Sequence, residues 1–193
     1  MLFRKTPLLI LCFLLVSFVS CKKSQTVSPK ALGKDLVLTS YEQQKVTADN
    51  TFTLRLFKSV DSTSNHNANM CISPLSVSFA LGMTSNGANG ATLTAFNNTL
   101  GFNGLTQTQV DTYYNNLIAN LPLLDPNTTI RIANSIWYRQ GFSVLPGFLQ
   151  ADSSYFHAQL QALDFSSPSA PNTINAWVNN QTEGKIPAII GNI

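Results

Sequence analysis

The sequence predicts an α+β domain that is rich in helix and short of sheet. Three observations predict it. Six segments carry apolar residues at helical spacing, two carry the alternation of a strand, and the period switches from one to the other near Thr129. Two strands make a marginal sheet by themselves. The remainder of the sheet is expected from sequence beyond these 193 residues, or from another chain.

Each helix has a local reason. Asp49 is placed to cap a first helix whose Phe52, Leu56, Phe57 and Val60 share one face. Ser73-Pro74 opens a second, because a serine hydroxyl caps and proline fits the first helical position. Its Leu75, Val77, Phe79, Ala80, Leu81 and Met83 leave almost no polar face, which predicts burial on all sides. A third helix runs from about Thr92, with Leu93, Phe96 and Leu100 inward, and stops at Gly101. The fourth has unbroken helical spacing through Val110, Tyr113, Tyr114, Leu117, Ile118 and Leu121, and Pro122 closes it. Ile130, Ile132, Ile136 and Tyr138 then alternate with Arg131, Ser135 and Arg139, as on a strand with one buried face. Asn134 interrupts that face and needs a hydrogen-bond partner if buried. A helix over 146–156, a strand over 158–165 and a last helix from about Pro171, with Ile174, Trp177 and Val178 inward and Gly184 ending it, complete the chain.

Charged residues are 11% of the total, well under the roughly 25% of ordinary domains. The hydrophobic fraction of 44% is enough for a sizeable core and excludes the disordered class. Arg4 and Lys5 followed by the apolar run Leu8–Val19 form an export signal, too short to span a membrane comfortably. The run ends at Ser20-Cys21, followed by Lys22 and Lys23, a pattern that looks like a bacterial lipobox with Cys21 as the lipidated mature N-terminus. Phe18 departs from the aliphatic residue usual at its position, and a plain secretory cleavage or an uncleaved anchor are the alternatives. Domain organisation is therefore read as a signal over 1–20, a polar tether over 21–48 and a folded domain over 49–193, exported and membrane-anchored at the bacterial envelope or cell surface, or extracellular. Loss of Arg4 and Lys5 with the signal takes the side-chain charge from +3 to +1, which gives no electrostatic case for nucleic acid. Cys12 falls in the signal, so Cys71 stands alone and is expected to be a buried apolar thiol.

Several short strings, in order, resemble the serpin family. Asn69-Met70-Cys71-Ile72-Ser73-Pro74-Leu75-Ser76 looks like the start of serpin helix B. Asn86-Gly87-Ala88 and Thr99-Leu100-Gly101-Phe102 resemble the following turn and the end of helix C. Ile132-Ala133-Asn134-Ser135-Ile136-Trp137 is similar to the second strand of sheet A, and Asp164-Phe165 to the end of the first. The most specific match, Ile174-Asn175-Ala176-Trp177-Val178 with Thr182-Glu183-Gly184-Lys185-Ile186, looks like helix F and its turn. The resemblance covers residues 50–193, about half the length of a complete serpin.

That resemblance implies an incomplete serpin-like fold: the N-terminal helices plus the first strands of sheet A. It implies a mechanical protease inhibitor, not an enzyme, whose bait loop is cut by a serine or cysteine endopeptidase and then inserts into sheet A. Ser73 and Ser76 match the shutter residues beneath that sheet, although a helix cap for Ser73 and a buried, backbone-satisfied hydroxyl for Ser76 are the plainer readings. Asn69, Pro74, Asn134, Asn175, Trp177, Val178, Thr182 and Lys185 match the structural motif, Trp177 as a packing anchor of helix F on the sheet. The bait loop and the residue that sets protease specificity belong to the family's C-terminal part and have no counterpart here, so the protease is a partner only with that part. A non-inhibitory scaffold or an inactive truncated remnant is the second reading.

An enzymatic site has little support. His66 and His157 are the only histidines; His157 with Asp152 or Asp164 lacks a serine in a nucleophile elbow. No metal-ligand spacing and no phosphate-binding glycine loop is present, and no cofactor is expected. Asn97, Asn127 and Asn180 match the glycosylation pattern, a chance match if the lipobox is bacterial. The lipobox makes a direct prediction: Cys21→Ala releases the protein from the membrane fraction, and unchanged retention counts against lipidation.

Overall fold

The computed structural model describes residues 32–191, except 65, 66 and 68. The expected signal over 1–20, Cys21, the tether up to residue 31 and His66 lie outside the described residues. The order of elements is α1 (Ser40–Thr63), α2 (Pro74–Ser85), α3 (Gly90–Leu100), α4 (Gln107–Asn120), a 3-10 turn (Leu121–Leu123), β1 (Ser135–Arg139), α5 (Pro146–Tyr155), β2 (Gln159–Leu163) and α6 (Ala170–Gln181).

The first helix starts at Ser40, not at Asp49. Its N-terminus is a capping box, in which the Glu42 carboxylate accepts from both the backbone N–H and the hydroxyl of Thr39 at 2.7 Å. Asp49 is thus mid-helix, and the segment expected to be tether is helical from residue 40. Of the apolar face expected on α1, Phe52 is buried and Leu56 packs against the core, whereas Phe57 is 45% exposed.

The Ser73-Pro74 start of α2 forms as expected. Burial on all sides does not. Ser78, Phe79, Gly82, Met83 and Ser85 are buried, while Ser76, Val77 and Ala80 are exposed, because among the described residues no element covers that flank. Asn89 caps α3 by accepting from the Gly90 N–H at 2.7 Å, which starts the helix two residues before Thr92. Gly101 ends it with φ at +71°, and a Cβ there would lie 2.4 Å from that of Ala48, so only glycine lets α3 close against α1. In α4, Val110, Tyr113, Tyr114 and Leu117 are all buried, and Pro122 converts the helix end into the 3-10 turn.

Both expected strands form, but each is five residues long, shorter than 129–139 and 158–165 suggested. They pair in parallel, from Ser135 opposite Gln159 to Arg139 opposite Leu163. Parallel neighbours need a crossover connection, and α5 supplies it. Ile130 is left 38% exposed ahead of β1, while Ile132 and Ile136 pack against the core.

Tyr114 is the centre of that core. Its ring meets Phe79 and Tyr113 at 5.4 Å, Phe156 at 5.2 Å and Phe102 edge-on at 6.1 Å. Each such contact contributes about 0.5–1.5 kcal/mol beyond area burial. Its hydroxyl sits 2.7 Å from the buried Ser78 hydroxyl on α2.

Gly82 makes this packing possible, since a Cβ there would stand 2.7 Å from Tyr114 Cε2. Gly82→Ala is therefore expected to destabilise by about 1–3 kcal/mol through overpacking. Gly147→Ala, whose methyl meets nothing within 4 Å, is expected to be neutral or stabilising by under about 1 kcal/mol. Urea unfolding of both variants decides the comparison.

Candidate functional site

The residues singled out by the sequence fall in two places, the start of α2 and the junction of α6 with the β1–β2 pair. At the first, Ser73 caps α2: its Oγ accepts from the Ser76 N–H at 3.4 Å and lies 2.8 Å from the Ser76 hydroxyl. Pro74 occupies the first helical position and is half-buried. Neither serine bonds a residue of β1 or β2, and Ser76, expected in a buried setting, is exposed along with Val77. Asn69 is exposed in the extended segment before α2. Cys71 is exposed too, against the expected buried thiol, because it lies in that same segment with no element over it among the described residues.

At the second place, α6 buries Ile174 and Val178 and sets Trp177 edge-on to Trp137 of β1, with centroids 6.2 Å apart. Trp177 is thus in contact with a sheet residue. Trp137 is itself held by its indole N–H donating to Ser135 Oγ at 3.0 Å. Asn134, just before β1, donates from Nδ2 to the Phe156 carbonyl at 2.8 Å, which gives it the partner that burial demands.

Asn175 does more than its motif suggested. Its Oδ1 accepts from the Ile189 and Ile190 N–H groups at 2.9 and 3.2 Å, and its Nδ2 donates to the Ile190 carbonyl at 2.9 Å. Thr182 adds a second hold, accepting from the Ile186 N–H at 3.0 Å. One asparagine and one threonine therefore hold the segment after α6 back along that helix. Lys185 is exposed on this segment, and its N–H bonds the Thr182 carbonyl at 3.0 Å. Glu183, at φ +51°, reaches an exposed ion pair with Arg131, which lies ahead of β1.

Two buried polar networks were not read from the sequence as networks. Lys45 is 1% exposed, ion-paired to Asp49, and stands over the rings of Phe102, Tyr113 and Tyr114 at 5.0 to 5.5 Å. Burial holds the Lys45 ammonium below its ordinary range, with Asp49 opposing. Asp49 also accepts from the Tyr113 hydroxyl at 2.6 Å, and burial followed by the Asp49 charge drives the Tyr113 phenol up. Burial raises Glu42, yet its bonds from Thr39 and Asn116 outweigh this and leave it low. The second group joins Asn86, Gln107, Asp111 and Asp152 at the ends of α2, α4 and α5. One signal was readable: Thr39-Ser40-Tyr41-Glu42 fits the capping-box pattern. The bonds that tie the helices to one another link residues 21 to 74 apart, for which local spacing carries no signal.

His157 does not join Asp152 or Asp164. Its Nε2 lies 2.9 Å from Asn115 Oδ1, while Asp164 accepts from its own Ser166. Among the described residues no three of His, Cys, Asp and Glu are grouped to hold a metal. What the site offers is strand edge, indole contact and hydrogen-bonded anchoring, which are means of holding a sheet.

Comparison with known proteins follows the same line. A family profile described as serpin (serine protease inhibitor) matches residues 47–193. Leukocyte elastase inhibitor from Homo sapiens is 33% identical over 150 residues, which are 77% of this chain and 39% of that protein. Neuroserpin from Gallus gallus is 35% identical over 119 residues, 61% of this chain and 29% of that one. The crystal structure of the thermophilic serpin Tengpin, in the latent state, superposes with a TM-score of 0.69 at 31% identity, covering 82% of this chain and 42% of its own. The chain thus spans well under half the length of these relatives.

The Asn175 clamp can be tested by itself. Asn175→Ala removes three hydrogen bonds to residues 189 and 190 and is expected to speed proteolytic cleavage after α6, at a cost of about 1–3 kcal/mol. Asn175→Asp keeps the acceptor and is expected to fall between parent and alanine variant.

Proposed function

Because the chain belongs to the serpin family, we propose that it forms the helical part and first two sheet A strands of a protease inhibitor that works by insertion of a cleaved bait loop. The observation that supports this best is the parallel β1–β2 pair with α6 resting on it through Trp137 and Trp177. Among the described residues each strand pairs on one side only, which leaves edges suited to strand addition. The family is one of inhibitors and not of enzymes; the bait loop is assigned to sequence outside these residues.

In this reading Ser73 and Ser76 are shutter residues that meet later strands of sheet A, and the exposed flank of α2 is the surface those strands cover. Cys21 carries a lipid that tethers the inhibitor at a bacterial envelope, and its targets are serine or cysteine endopeptidases. A scaffold without inhibitory action is the second reading.

Incubation with a panel of such proteases, leukocyte elastase included, separates the readings on denaturing gels. The 193-residue chain is expected to form no SDS-resistant complex. A form extended by the downstream coding sequence, with a small-residue hinge before its loop, is expected to form one. A complex with the 193-residue chain overturns the placement of the loop, and an extended form inert to every protease leaves the scaffold.

A further inference from the structure

We propose that Asp152, Asn86 and Asp111 form a proton-operated latch, which draws the ends of α2, α4 and α5 together in mild acid and slackens them at neutral pH. The geometry is a chain of hydrogen bonds between three helices. Asp152, in the last turn of α5, has no exposure, and its Oδ1 accepts from Asn86 Nδ2 at 2.9 Å. Asn86 closes α2 and accepts in turn from Gln107 Nε2 at 2.6 Å. Gln107 opens α4 and also donates to Asp111 Oδ1 at 3.2 Å; Asp111 is 4% exposed. The second Asp152 oxygen, Oδ2, is buried with no donor.

Two buried carboxyls therefore share one network, and among the described residues no cation accompanies them. Neither α2 nor β2 carries a titratable side chain. On α4 the titratable groups are Asp111, Tyr113 and Tyr114, and α5 adds Tyr155. His157, just past α5, turns to Asn115 of α4. A metal ion suits the network poorly, since the Asn86 and Gln107 carboxamides present N–H donors to the carboxylates. A proton suits it well: burial of a carboxyl with one carboxamide donor shifts its balance toward the neutral form relative to water. Burial, helped by the Asp111 charge and opposed by Asn86, pushes the Asp152 carboxyl up to about 6.

The sign follows from linkage. The folded carboxyl holds its proton to higher pH than the unfolded one, near 3.9. Its contribution to stability is complete below about pH 4 and is lost as pH rises through about 6. The effect has an outlet, because the Asp152 carbonyl accepts from the Phe156 and Ala158 N–H groups at 3.1 and 3.2 Å, directly before β2.

The test is carbon-13 NMR of the whole chain labelled at aspartate carboxyls, with amide exchange over 159–163 as second readout. A resonance missing in Asp152→Asn is expected to titrate near pH 6, and Asp111→Asn to move that midpoint to lower pH. Corrected for intrinsic rates, protection of β2 is expected to rise on acidification from neutral pH, by at most about tenfold per pH unit, and to stay flat in Asp152→Asn. An Asp152 midpoint below about 4.5, no response to Asp111→Asn, or unchanged pH dependence in Asp152→Asn overturns the latch. The outcome is independent of whether the protein inhibits a protease.

Discussion

The packing of Tyr114 is the constraint on which the rest of the described fold depends. One side chain touches a ring from α2, its own neighbour on α4, a ring after α3 and a ring after α5. Close-packed interiors tolerate little change in volume, so the four segments are positioned against a common reference. The approach of α2 requires glycine at 82, and the closure of α3 against α1 requires glycine at 101. The sheet inherits its place from this centre, since Phe156 leads straight into β2 and its carbonyl holds Asn134 ahead of β1.

Around that apolar centre the chain buries an unusual set of polar groups, and it treats them unequally. Lys45 and Asp49 are compensated, the ammonium by its carboxylate and three aromatic faces, the carboxylate by Tyr113 and Ser78 as well. Removal of one partner from such a pair is more damaging than its presence is helpful, and through Tyr113 the pair joins α1 to α4. Asp152 is compensated on one oxygen only. The contrast between a closed network and an open one within the same core is what makes the second responsive to protons.

The helices were legible because their causes are local. Ser73-Pro74, the spacing from Val110 to Leu121 and Gly101 each act within a few residues, and each gives the element it foretells. The start of α1 was misread because Asp49 is a good cap in isolation; the capping box at Thr39 lay ten residues earlier, among polar residues that resembled a tether. The burial of α2 was overread for a different reason. An apolar surface states what must be covered in the finished fold, and among the described residues Val77 and Ala80 have no cover. Of the site, Trp177 meets Trp137 of β1, and Asn134 donates to the Phe156 carbonyl. The clamp made by Asn175 and the burial of Lys45 were invisible, since both depend on partners brought near by tertiary folding.

The meeting of Trp137 with Trp177 has an optical consequence. These are the two tryptophans of the sequence, and they face each other across the single junction between α6 and β1. Indole emission from the whole molecule therefore arises at one contact, and its colour and intensity track the seating of that helix on that strand. The fold carries its own luminescent gauge, placed where α6 meets β1.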